Sequence, residues 1–301
     1  VTTRLANHHL IYTMAADNPP ALRVADGSTV EIATCDCFED QITHEGQDFG
    51  TLDWERINPA TGPIYVEGAE PGDLLVVHIK DIRVADRGVM TTGPNLGVFG
   101  DELSQNVIRM VPIVNGEAVF SERVRLPLRP MIGVIGTAPA TDRVPCGTPG
   151  DHGGNMDCTR ITTGARLILP VNVPGALFAL GDLHAAMGDG EVAVCGIEIA
   201  GTVKVQLHVL KGRTWPVPML VNDDTVMTIA SAQLLDEAAT LATKRMAHWL
   251  AQEFSLDLAE AALLLSATGQ LRVCQVVDPL KTARMEVPRG VLEGLGFTFP
   301  Y

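Results

Sequence analysis

Two hydrophobic periods divide this chain, and their order restricts the folds open to it. Over residues 28–36 side chains alternate, with Val30, Ile32, Thr34 and Asp36 on one face and Glu31, Ala33 and Cys35 on the other. Residues 74–82 form a second run, entered through the turn Glu70-Pro71-Gly72-Asp73, and 191–199 followed by 202–210 reads as a hairpin broken at Gly201. Only from Thr228 does the spacing become three or four. Ile229, Leu234, Leu235, Ala238, Leu241, Ala242, Trp249 and Leu250 then share a stripe, which predicts one long helix over 228–254. Ser255 is placed to cap a second helix over 256–267, Gly269 ends it, and 271–277 returns to a strand that Pro279 stops. Many strands followed by few helices exclude a doubly wound parallel sheet and favour a mainly β sandwich or barrel with a C-terminal α/β region.

A chain of 301 residues with 46% hydrophobic content has enough apolar surface for a large core. Its formal charge of −14 repels a phosphate backbone, so nucleic acid and anionic membranes are excluded as partners. Aromatic residues, at 5%, are too few for stacking platforms, and a small neutral or cationic ligand fits better. Apolar runs are strand-length and no leader pattern is visible, which predicts a cytoplasmic protein. Cys35, Cys37, Cys146, Cys158, Cys195 and Cys274 are scattered as reduced thiols are. Cys35-x-Cys37 has no second pair to complete a zinc tetrahedron.

Ligand-type side chains are densest in Gly181-Asp182-Leu183-His184-Ala185-Ala186-Met187-Gly188-Asp189-Gly190-Glu191. In an extended segment Asp182 and His184 point the same way, while Gly188 and Gly190 let the backbone fold back to present Asp189 or Glu191. Oxygen and nitrogen donors without thiolates suit a hard or borderline divalent cation. The alternative is a polar hairpin loop with a satisfied histidine. In Asp151-His152-Gly153-Gly154-Asn155-Met156-Asp157 the paired glycines permit close approach to a ligand, and Asn155 and Asp157 fall on one side if extended. Asp36 ends its strand on the inward face, where a lone carboxylate is costly unless paired, hydrogen-bonded or metal-bound.

Four stretches carry a resemblance to the acetamidase/formamidase family: NPATGPIYVEGAEPGD from Asn58 to Asp73, GGNMD from Gly153 to Asp157, PVNVP from Pro170 to Pro174, and GDLHAAMGDGE from Gly181 to Glu191. The likeness runs from about His9 to about Pro288. It implies hydrolysis of short aliphatic amides to a carboxylic acid and ammonia, and a divalent metal. It also implies an intertwined jelly-roll-type β sandwich with a smaller β-barrel subdomain and a C-terminal α/β region. We divide the chain accordingly into residues 1–90 paired with 155–215, a small β subdomain over 91–154, and 216–301. Homo-oligomers, dimeric or higher, are the expected assembly. One departure lies near the first strand: where many members carry DxxxGQ, this chain reads Asp36-Cys37-Phe38-Glu39-Asp40-Gln41, with Asp40 in place of the glycine.

Amides resist attack, so water must be made nucleophilic and the tetrahedral oxyanion held. A metal with one open position does both. The expected ligands are Asp157, Asp182 and His184, with Asp36 as a fourth or bridging carboxylate and zinc as the ion, calcium being the alternative. Glu191 is the expected proton shuttle, Asp189 stands next in line, and Asn155 or the Gly153 and Gly154 N–H groups are placed to hold the oxyanion. Two rivals are weaker. A serine or cysteine nucleophile lacks a G-x-S-x-G elbow, and a non-catalytic calcium-stabilised sandwich module leaves His184 without a role. Within the amide class, a larger amide or lactam is the alternative substrate.

Overall fold

The computed structural model describes residues 2–300, and two large sheets carry it. One has nine strands in the order Thr2–Leu5, Thr29–Thr34, Gly201–Leu210, Leu74–Val84, Arg166–Pro170, Met219–Val221, Thr225–Ala232, Lys281–Pro288, Gln270–Gln275. The other has eleven strands. Its path runs Arg125–Pro127, Glu117–Val119, Val107–Val114, Arg87–Thr92, Glu198–Ile199, Phe178–His184, Met131–Gly136, Gly153–Asn155, and Ala60–Val66 joins it along Phe178–His184. Among the strands of the described residues only Thr2–Leu5 with Thr29–Thr34 and Leu22–Val24 with Ala60–Val66 pair in parallel, besides an isolated parallel bridge between Gly190 and Gln275. The fold is therefore mainly β with a helical C-terminal region, as the alternating pattern requires.

The strand Leu74–Val84 shows why the sequence takes this form. Leu75, Val77 and Ile79 enter the core between the sheets, whereas Leu74 and Val76 enter a second core beneath the helices. The neighbouring strand repeats the division, with Leu167 and Leu169 on one side and Ile168 on the other. A strand covered on both faces reads as a continuous apolar run. Thr29–Thr34 alternates instead: Val30 and Ile32 are buried, while Glu31 turns outward to Arg4 and Arg83.

Three expectations fail here. No hairpin joins 191–199 to 202–210, because Glu198–Ile199 pairs with Phe178–His184 in one sheet and Gly201–Leu210 pairs with Thr29–Thr34 and Leu74–Val84 in the other. The chain changes sheet at Gly201, where an added Cβ would lie 2.5 Å from the Arg83 carbonyl oxygen. The long helix also starts later than its periodicity suggests. Thr225–Ala232 is a strand between Met219–Val221 and Lys281–Pro288, consistent with its β-branched Thr225, Val226, Thr228 and Ile229, and the helix spans Leu235–Glu253. The second helix, Leu258–Thr268, is capped by Asp257, whose side chain accepts the Glu260 N–H; Ser255 has no part in that cap.

Candidate active site

His184 ends the strand Phe178–His184, which is buried along its whole length, so a polar pair in this strand lies in the interior. The alternation of side chains puts Asp182 on the same side, and its Oδ1 lies 3.4 Å from His184 Nε2. Asp157 follows the strand Gly153–Asn155, and its Oδ1 is 3.7 Å from the same nitrogen. Between these segments runs Met131–Gly136, and Gly133 makes the meeting feasible: a Cβ there would stand 2.4 Å from Asp157 Oδ1 and 2.5 Å from Asp182 Oδ2. Glu191, in the left-handed backbone region at φ 50°, brings Oε1 to 3.8 Å of Nε2.

Glu198 completes the ring. Its Oε1 is 3.1 Å from His184 Nε2 and also accepts the Gly196 N–H. Two donor sets result, Asp157 with His184 and Glu191, and Cys37 with Asp182 and Glu198; within each, one ligand atom per residue lies within 4.8 Å of the others. The sequence reading allowed no thiolate donor, and Cys37 corrects it geometrically. Glu198 and Asp278 were also missed. Glu198 was hidden in a segment read as one apolar strand, and Asp278 lies in a turn with no other ligand-type residue beside it.

Charge is poorly compensated in this cluster. Asp157 Oδ1 and Oδ2, Asp182 Oδ1, both ring nitrogens of His184, Glu191 Oε2, Glu198 Oε2 and Asp278 Oδ2 are buried without a hydrogen-bond partner. Burial pushes the Asp157 carboxyl well up, and Asp278 and Asp182 push it further. Burial does the same to Glu191, reinforced by Asp157. For His184 burial acts downward, but Glu198 and Asp182 outweigh it and hold the imidazole well above its ordinary range. Asp182, despite burial, is held low by His184. Such opposed shifts in one pocket mark sites of proton transfer or cation binding.

A cavity of about 120 Å³ opens onto this cluster. Asn155, Asp182, Glu191, Glu198 and Asp278 supply its polar wall, and Phe38, Trp54, Ile57 and Leu96 its apolar one. Asn155 neighbours Asp278 and acts to lower its raised pKa, and its Oδ1 is buried and unpartnered. Two other expected residues stand elsewhere. Asp36 Oδ1 accepts the N–H groups of Phe38 and Asp40 and lines a different cavity. Asp189 is half-exposed and holds Arg284 through both oxygens, at 3.0 and 2.7 Å. Asp40 sits at φ 57°, the left-handed region that favours glycine, and its side chain accepts the Asp36 N–H; aspartate is among the few residues that tolerate it. The departure from DxxxGQ thus preserves the turn.

A family model described as the acetamidase/formamidase family matches residues 7–145 and 143–293. The crystal structure of an acetamidase from Bacillus halodurans superposes with a TM-score of 0.96 at 51% identity, covering 98% of this chain and 100% of that one. A structure titled "predicted acetamidase/formamidase" from Thermoanaerobacter tengcongensis gives 0.97 at 46% identity, covering 99% of each. The acetamidase of Mycolicibacterium smegmatis is 29% identical over 265 residues, 65% of this chain and 64% of that protein. Matched stretches span about 62–64% of the length of these curated relatives.

Proposed function

The chain belongs to the acetamidase/formamidase family, and on that premise we propose that it hydrolyses short aliphatic amides to a carboxylic acid and ammonia with the help of a divalent metal ion. The observation that carries this reading is the buried ring of carboxylates around His184, its acceptor atoms unpartnered, facing a cavity of about 120 Å³. Buried carboxylates without partners are strongly unfavourable, and a cation removes the penalty. The donors fit such an ion. Asp157 and Asp182, both within 3.7 Å of His184 Nε2, would hold it together with His184, with Glu198 adjoining, and the imidazole and nearby Cys37 thiol favour zinc over calcium. When bound, the ion would supply Lewis-acid polarisation of the carbonyl and lower the pKa of a water it holds toward neutrality.

The chain's own residues do the rest. Glu191, enclosed and pushed up in pKa, takes the proton of the attacking water and delivers it to the leaving amine nitrogen as the carbon–nitrogen bond breaks. The free Asn155 Oδ1, buried in the cavity wall, accepts an N–H of the substrate amide. Phe38, Ile57 and Leu96 bound the acyl side and disfavour a large amide or lactam in so small a space. The test is an ammonia-release screen over formamide, acetamide, propionamide, urea and small lactams, run on metal-stripped and zinc-reconstituted protein. Activity on the short amides that returns with zinc is expected. No release from any amide after reconstitution would overturn the reading.

A further inference from the structure

Outside the His184 cluster lies a second polar constellation that touches none of the cavity, and it joins the segments that carry the cluster's carboxylates. Its centre is Arg284, on the strand Lys281–Pro288 and only 3% exposed. The guanidinium gives Nη1 to Asp189 Oδ1 at 3.0 Å and Nη2 to Asp189 Oδ2 at 2.7 Å, a bidentate pairing that fixes both side chains in one plane. Nη1 also reaches the Val273 carbonyl at 2.9 Å, and Nε reaches Glu286 at 2.7 Å. Asp189 Oδ1 in turn accepts the Thr159 hydroxyl at 2.7 Å.

Three of these partners, Thr159, Asp189 and Val273, lie in segments that carry the cluster's carboxylates. Thr159 is two positions after Asp157. Asp189 is two positions before Glu191. Val273 lies in the strand Gln270–Gln275, whose last residue caps the turn holding Asp278: Gln275 Oε1 accepts the N–H groups of Val277 and Asp278 at 2.9 and 3.0 Å. Backbone bonds lock the same junction, from Gly190 N–H to the Cys274 carbonyl and from Val276 N–H to the Gly190 carbonyl. These three segments are remote in sequence, and the Thr159–Asp189–Arg284–Val273 chain of hydrogen bonds ties them to one another.

We propose that the Asp189–Arg284 pair is a positioning device: it holds the segments bearing Asp157, Glu191 and Asp278 at the separation the site requires, and neither member touches substrate. This assigns Asp189 a different task from proton transfer, and it rests on the amidase reading for its kinetic consequence only. Because small displacements of catalytic groups can lower turnover about a hundredfold, the pair acts on kcat rather than on substrate affinity. Buried Arg284 is poorly replaced by lysine, which cannot reproduce the planar fork.

The experiment compares wild type with Arg284→Lys, Asp189→Asn, Thr159→Val and the Asp189→Asn/Thr159→Val double variant, measuring kcat and KM for acetamide, thermal melting, and amide hydrogen exchange over 157–159, 188–191 and 275–278. Arg284→Lys and Asp189→Asn should lower kcat roughly ten- to hundredfold with KM within about threefold. Thr159→Val, which removes one hydroxyl at nearly constant volume, should lower kcat a few-fold with melting unchanged, and the double variant should lose little more than Asp189→Asn alone. Exchange should quicken in all three segments together. Unchanged exchange there, kcat falling only in step with the folded fraction, or additive losses in the double variant would each overturn the proposal. A wild type inactive on every amide would defeat the amidase reading, while the exchange measurement would still decide the clamp.

Discussion

Two buried clusters in this molecule are built on opposite terms. At the helix Leu235–Glu253, Trp249 packs edge to face on Trp215, Phe254 and Phe297, Phe254 does so on Phe297, and Trp215 lies tilted against Phe297, with ring centroids 5.5 to 6.4 Å apart; Trp215 gives its N–H to Glu253. Among the described residues that cluster leaves one orphan, the indole N–H of Trp249. Around His184, by contrast, at least one atom of each of Asp157, Asp182, Glu191 and Glu198 is left without a partner. Unsatisfied buried groups each disfavour folding by about 1–3 kcal/mol, and charged ones by more. The aromatic cluster stabilises the fold, and the His184 cluster draws on that stability to keep its donors free. The largest effect that separates the two is therefore a loss of stability without chemical consequence. Trp249→Ala should lower unfolding free energy by about 3–5 kcal/mol while kcat of the folded fraction stays within about twofold, checked by denaturant melts alongside ammonia release. A larger fall in kcat would tie the two regions together.

The reciprocal change falls in the other cluster. Glu191→Gln should reduce turnover a hundredfold or more, about 2.7 kcal/mol in the transition state, yet leave melting of the metal-stripped protein unchanged or raised, since it removes a buried charge that Asp157 already opposes. Lowered melting would mean that Glu191 is a structural partner, and the contrast would fail. The same residue shows what could be read from the sequence. Asp182, His184 and Glu191 lie in one short run, and their chemical density was visible without coordinates. Glu198 sits only seven positions further on, but its orientation depends on which sheet the chain enters after Val194, at φ 83°, and no local pattern encodes that. Asp278 and Cys37 sit in turns capped locally by Gln275 and Asp36, but it is remote backbone bonds, Val276 N–H to Gly190 and Asn58 N–H to Cys37, that dock those turns at the cavity. Likewise the alternation of Thr29–Thr34 is local, whereas the fate of 228–232 is decided by pairing with Lys281–Pro288.

A third test uses pH. His152 precedes the strand Gly153–Asn155, is buried with Nε2 unpartnered, and is pushed down to about 4 by burial. Its folded pKa lies below the unfolded value of about 6.5, so the unfolded chain binds the extra proton first. The neutral ring's contribution is complete above pH 6.5 and is lost as pH falls toward 4, about 2 kcal/mol of it by pH 5. The drop in unfolding free energy from pH 7 to pH 5 should therefore be about 2 kcal/mol smaller in His152→Gln than in wild type, whatever the substitution does at pH 7. Equal slopes would place His152 in contact with water. Such a result would also reduce the contrast, because the wall behind Asn155 would then be wet.

The smallest effect concerns the junction of the two helices that close over the aromatic cluster, and it separates two readings of one sequence. Ser255 looks like an N-cap, and if it were one, Ser255→Ala would destabilise by about 1 kcal/mol. In the structure Ser255 instead ends the preceding helix. It sits at φ 55°, and the Leu256 N–H returns to the Ala251 carbonyl five residues back in the manner of a left-handed helix stop. The N-cap is Asp257, whose Oδ1 accepts the Glu260 N–H at 2.7 Å. Asp257→Ala should thus lower unfolding free energy by about 1 kcal/mol, Ser255→Ala by no more than a few tenths, and Ser255→Gly should stabilise by up to about 1 kcal/mol because glycine adopts the left-handed conformation without strain. None of the three should change kcat, since these residues lie in the region that supplies stability and share no contact with the ring around His184. Equal losses from Ser255→Ala and Asp257→Ala would restore the sequence reading, and a change in kcat from either would show that the boundary between the stabilising and the reactive cluster lies further into the helices than the packing indicates.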